Sequence, residues 1–137
     1  YMAPNSSDVT AGINATISHY NNLRKDVLLG TKTVGSETDG VIVTFDLSDT
    51  TKTNIRTVTL GGNRTLALSN PTVGQVFIIR LVQDGTGGRT VTWWSTIKWP
   101  GGSAPTLSTG ANRVDVFGFI CTSAGNYDGF FLGFDLS

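Results

Sequence analysis

The side chains best suited to chemistry in this chain are three tryptophans, a single histidine, a single cysteine and a scatter of carboxylates. Trp93 and Trp94 are adjacent in a run that reads as a strand, Arg89–Trp94, so the alternation of a strand sends them to opposite faces. Trp93 shares its face with Val91 and is expected in the core. Trp94 shares its face with Thr90 and Thr92, which makes it a subunit contact or, as a flat ring bordered by hydroxyls, a platform for a sugar. Trp99, which opens the Pro100-Gly101-Gly102 turn, and Tyr127 carry the same two readings, glycan or interface. His19 stands between Ser18 and Tyr20 with no Cys or Asp spaced to complete a triad or a metal site. The carboxylates Asp39, Asp46, Asp49, Asp84 and Asp128 are dispersed along turns and loops. Two carboxylates are all that glycoside hydrolysis needs, but no pair stands out.

Asp84-Gly85-Thr86-Gly87-Gly88 resembles a phosphate loop only superficially: no Gly-Lys-Ser/Thr follows, and the next element reads as a strand, which brings no helix N-terminal amides. It is expected to be a hairpin loop. Asp39, Asp46 and Asp49 do not follow the calcium-loop spacing. Cys121 lies in the apolar run Val-Phe-Gly-Phe-Ile-Cys and reads as a small buried hydrophobe. The expectation is therefore no catalytic residue, no cofactor and no metal.

Composition agrees with a structural part. Of 137 residues, 39% are hydrophobic and only 15% charged, against about 25% charged in ordinary soluble domains. Ten basic and ten acidic residues cancel. A neutral chain has no general attraction for nucleic acid or anionic lipid, and no apolar run is long enough to span a bilayer, so neither nucleic acid nor membrane is an expected partner. No basic segment followed by an apolar stretch marks a signal peptide. Seventeen glycines with abundant threonine suit turns and strands.

The elements that must position these residues fall into three segments: 1–30, a polar arm and an anchoring helix; 31–40, a linker or surface loop; and 41–137, a β-domain. In the helix, Asn14 can cap, Ile17, Tyr20, Leu23 and Val27 recur at helical spacing, and Gly30 offers a stop. Beyond residue 40, β-type runs alternate with turn chemistry: Val41–Leu47, Ile55–Leu60, Arg64–Ser69, Gln75–Gln83, Arg89–Trp94, Arg113–Cys121 and Tyr127–Phe134. Such punctuation predicts a mainly β fold, an antiparallel β-sandwich or jelly-roll-like barrel of about seven to eight strands behind one N-terminal α-helix. No repeat of constant period is visible.

Two strands speak to assembly. Gln75–Gln83 places Phe77, Ile79 and Leu81 on one face and Val76, Ile78, Arg80 and Val82 on the other; Tyr127–Phe134 places Tyr127 and Phe131 opposite Phe130, Leu132 and Phe134. A strand with one wet face alternates apolar and polar residues, and these do not. Both faces need cover, which a neighbouring subunit or the chain's own N-terminal helix would supply. Val76, Ile78, Val82 and Phe131, with the helix positions Ile17, Tyr20, Leu23 and Val27, are the expected subunit or anchor contacts.

The stretch Gly62-Asn63-Arg64-Thr65-Leu66-Ala67-Leu68-Ser69-Asn70-Pro71, then Gly74-Gln75 and Arg80 to Trp93, resembles a module of tailed-bacteriophage virion proteins, as do Ile97 to Gly102, Ala104 to Leu107 and Val114 to Phe117. Ser7 to Gly12, Ala15-Thr16 and Tyr20 to Asp26 are similar to openings of phage structural proteins. The resemblance implies a virion structural protein, made in the host cytoplasm and placed on the head or tail surface. It would be a capsid decoration, spike or short tail fibre, with itself (as a homotrimer) and other virion proteins as partners. It carries no catalytic residue. A receptor-binding fibre tip for host surface glycan is the alternative, and a free carbohydrate-binding module the alternative of another class.

Overall fold

The computed structural model describes residues 32–137. The expected arm and helix, with Ile17, His19, Tyr20, Leu23 and Val27, lie outside the described residues. What is described is mainly β: β1 (Thr33–Ser36), β2 (Ile42–Asp46), β3 (Lys52–Leu60), β4 (Arg64–Ser69), β5 (Val76–Gln83), β6 (Val91–Thr92), β7 (Ile97–Lys98), β8 (Val114–Ser123) and β9 (Asn126–Leu136), with one 3₁₀ turn at Pro100–Gly102. β1 falls inside the segment read as a linker, because Val34 and Gly35 let a short extended run join the edge of a sheet even among Thr, Ser and Gly.

Six strands form one sheet in the order β1-β3-β5-β8-β9-β7, and three form a second in the order β2-β4-β6. From β1 to β6 the chain therefore changes sheet at every connection. Strands of one sheet are then separated in sequence by a strand of the other, and they pair in parallel: β2 with β4, β4 with β6, and β3 with β5. The antiparallel part of the sandwich expectation is corrected here. Antiparallel pairing is found at β5–β8 and β8–β9. Run lengths and turn residues, which the expectation rested on, are the same whether a turn folds a strand back beside its predecessor or carries it across to the other layer.

A structural period follows from the pairing. Ile42 lies beside Thr65 and Ile55 beside Ile78, 23 residues on in both sheets, whereas Arg64 lies beside Val91, 27 residues on. The extra length is taken up by the loop from Asp84 to Thr90. That loop was expected to be a hairpin, and it is instead a crossover from the larger sheet to the smaller. Asp84 Oδ1 accepts from the N–H groups of Thr86 and Gly87, and its carboxylate pairs with Arg89. Buried Gln83 clips the far side, its amide donating to the Arg89 carbonyl and accepting from the Arg89 N–H. Gly87 sits at φ 74° against the backbone of Thr109, where no Cβ would fit. The period was invisible in sequence because successive turns share only the in–out pattern: Val58 stacks on Leu81, but Arg56 on Ile79 and Leu60 on Gln83.

The two sheets share one core of Val43, Phe45, Val58, Leu60, Leu66, Phe77, Ile79, Leu81, Phe117 and Phe119, with Cys121 buried beside them. Burying such side chains contributes about 1.5–3 kcal/mol each. At the β1 edge, Arg56 is fully buried and donates from Nη1 to Glu37 (3.1 Å) and from Nη2 to the Asp46 carbonyl (2.7 Å). This buried cation ties β3 to the segments that follow β1 and end β2.

Candidate functional site

The smaller sheet has three strands and the larger six. Beside the larger sheet, aromatic rings pack against β8 and β9. β6 stops at Thr92, so Trp93 and Trp94 lie beyond the strand and its alternation no longer applies. Both indoles turn inward. Phe119 is the hub: its ring centroid lies 4.9 Å from Trp94, 5.6 Å from Trp93, 5.6 Å from Trp99 and 5.2 Å from Phe77. Such spacings are those of favourable ring pairs.

This corrects the expected opposite facing of Trp93 and Trp94. Tyr127, expected at a glycan site or an interface, packs inward as well. Tyr127 is only 5% exposed and edges against Trp94 and Phe77, and its burial pushes the phenol pKa up. Trp99 is half-buried, reached from Trp93 at 5.1 Å and stacked on Phe131 at 6.0 Å. It needs a small residue beneath it: a Cβ on Gly129 would come within 2.8 Å of the indole.

Of the expected contact residues, Val76 is 52% exposed and Phe131 40%, while Ile78 and Val82 are half-buried. Part of the cover for the outer face comes from within the domain. Ile78, Gly118 and Phe130 form one cross-strand row, and the Phe130 ring lies where a Gly118 side chain would be. Sequence reading treated Phe130 only as a strand position. The glycine opposite it was the signal that a ring folds over the sheet.

One apolar surface that the domain leaves open to water is the end of β9. Leu132 (51% exposed), Phe134 and Leu136 are exposed beside Phe131. β7 pairs with β9 only at Tyr127 and Asp128, so the edge beyond has no strand partner among the described residues. Contiguous exposed apolar side chains on an unpaired edge are an association surface. Leu132 was placed on a strand face from sequence but not named as a contact, and Leu136, past Asp135, lay beyond the run that was read.

Among the described residues no group of three or more His, Cys, Asp or Glu converges to hold a metal, and no helix is long and apolar enough to cross a membrane. The carboxylates are engaged in structure. Asp39 holds Arg64 through two short bonds that keep its pKa below the ordinary value. Asp84 is lowered to about 2, chiefly by Arg89. Asp46 and Asp49 brace the turn between β2 and β3. Each therefore remains an anion at neutral pH, serving a loop rather than a reacting proton.

A family model described as "Putative phage tail fibre C-terminal domain" matches residues 38–126. No curated protein sequence and no solved structure matches the chain.

Proposed function

Because the chain belongs to the phage tail fibre C-terminal domain family, with most of its length matched, we propose that it is an oligomeric, non-enzymatic segment of the fibre that works by packing against copies of itself. The structural role in a phage tail fibre follows from the family, and with it association with other virion proteins in the tail. The match is to a tail part and gives head decoration no support.

The observation that carries the oligomer is the apolar end of β9. Phe131, Leu132, Phe134 and Leu136 stay open to water in a chain that commits few charges to its own solubility. Contact with a neighbour would remove that cost, and Val76 adds apolar area on the outer face. A homotrimer is the number that the resemblance to phage fibres implies. The segment 1–30 would anchor the chain, with the β-domain displayed outward. Sedimentation of the full chain at micromolar concentration tests this reading: a trimer is expected, and a stable monomer overturns it.

The alternative of a glycan-recognising tip loses its first-choice residues, since Trp94 and Tyr127 pack inward and Trp99 stacks on Phe131. Ring packing within one domain is the role their surroundings support. A free carbohydrate-binding module has nothing further in its favour.

A further inference from the structure

The larger sheet begins at β1, and apolar burial does little to keep that strand in place. Thr33, Val34 and Ser36 are exposed, Val34 by 47%, and Gly35, the one buried residue of the strand, has no side chain. No residue of β1 belongs to the core that the two sheets share. Beyond its backbone pairing with β3, what holds β1 is polar and follows it directly. The Glu37 carboxylate accepts from Arg56 Nη1 (3.1 Å) and Lys52 Nζ (3.0 Å), and the Glu37 N–H donates to the Thr57 carbonyl (2.8 Å).

Gly35 shows how the strand is seated. A Cβ there would lie 2.7 Å from Cδ of Arg56 and 2.7 Å from Cδ of Lys52, so β1 rides across the stems of the two cations that bond Glu37. Arg56 is fully buried there.

The seated arrangement leaves one group unsatisfied. Buried Arg56 Nε makes no hydrogen bond among the described residues, and an unpartnered buried donor is a standing cost that water would relieve. Both cations also keep a partner if Glu37 leaves. Arg56 Nη2 donates to the Asp46 carbonyl (2.7 Å), and Asp49 Oδ2 lies 3.8 Å from Lys52 Nζ. Docked and released forms of β1 are thus drawn close in free energy, while the core is common to both.

We propose that β1 is a detachable strap, held closed by the Glu37 carboxylate on Arg56 and Lys52, and that it leaves β3 while the rest of the β-domain stays folded. Segments with few buried apolar contacts open locally, well before the whole fold does. Release bares the edge of β3 and gives slack at the entrance to the domain. The stretch from Thr33 to Val41 then extends over about 30 Å before β2 is reached. A chain pulled from its N-terminal side lengthens there first. The inference concerns a single chain and does not depend on the oligomer.

The test is native-state hydrogen exchange on the full chain in low concentrations of urea, with the amide at position 37, bonded to Thr57, as the reporter. In the parent it is expected to exchange about a hundredfold faster than the amides of Ile79 and Phe119, through an opening that urea hardly affects because little surface is exposed. Glu37→Gln keeps the size and removes the charge, and should speed exchange at the reporter about tenfold further without changing Ile79 and Phe119. Gly35→Ala, which crowds the stems of Arg56 and Lys52, should act in the same direction. The proposal is overturned if the parent's reporter exchanges only together with the core and with the core's urea dependence. It is overturned equally if either variant keeps the parent's protection at position 37, or if the variants release the core amides along with β1.

Discussion

The two halves of the β-domain solve the same problem in different ways. From β1 to β6 the chain alternates between the two sheets, and mid-sized residues such as Val43, Leu66, Ile79 and Leu81 pack with Phe45 and Phe77 in the core. From β7 to β9 the chain stays in the larger sheet, and Trp93, Trp94 and Trp99 roof Phe117 and Phe119 of β8 with rings. A strand spreads cover evenly along a neighbour, whereas a few large rings cover much area from few positions and leave off abruptly. β9 outruns its roof, which is why its last residues are exposed. Repetition builds the core of the first half, although Val41, Ile42 and Val76 stay exposed there, and the second half exposes Leu132, Phe134 and Leu136 at its end.

Removing the hub of the roof tests that contrast most severely. Phe119→Ala should cost about 3–5 kcal/mol in urea denaturation and abolish most of the near-ultraviolet dichroism of the tryptophans. Leu66→Ala, cut from the coiled half, should cost about 2–5 kcal/mol yet retain that dichroism. Loss of the aromatic signal in both would mean that the halves pack as one unit.

At the opposite edge, Arg56→Met leaves the Glu37 carboxylate and the Asp46 carbonyl without their buried donor, and should cost about 3 kcal/mol. A stability unchanged in urea would show that the edge relaxes around the loss. Gly118→Ala should cost about 1–3 kcal/mol by driving Phe130 off the sheet, and Phe130→Ala in the same chain should recover part of it.

Smaller still are changes at the uncovered end. Leu132→Ser with Leu136→Ser should alter folding stability by only about 0.5 kcal/mol each while dissociating the oligomer in sedimentation. An unchanged assembly would move the contact elsewhere.

The smallest effect is electrostatic. Because the pKa of Asp84 is depressed to about 2 from 3.8, its bond to Arg89 stabilises the fold above the ordinary value and is lost as pH falls toward 2. The melting temperature should therefore be flat down to about pH 4 and decline below it, and Asp84→Asn should lower the plateau and shallow the decline.

Much of this was open to reading because it is local. Alternation put Phe77, Ile79 and Leu81 on one face, which the structure buries, Gly and Asn marked the turns, and β4 runs over the expected Arg64–Ser69. Trp94 was misread because a strand was assumed to continue past Thr92, and the ties of Asp115 to Ser108 and Asp135 were missed because they join segments distant in sequence.

The sequence by itself determined that the chain is β, which residues of each long strand share a face, and that phage particles are its context. Only the tertiary structure decided that β2, β4 and β6 run parallel, that three tryptophans share one cluster, and that β9 ends uncovered. The division has a physical cause. The in–out pattern of a strand is written in the pleat and repeats every two residues, while the choice of partner is set by which layer the chain enters after each turn. That choice belongs to the packing of the whole core, and no short stretch of residues records it.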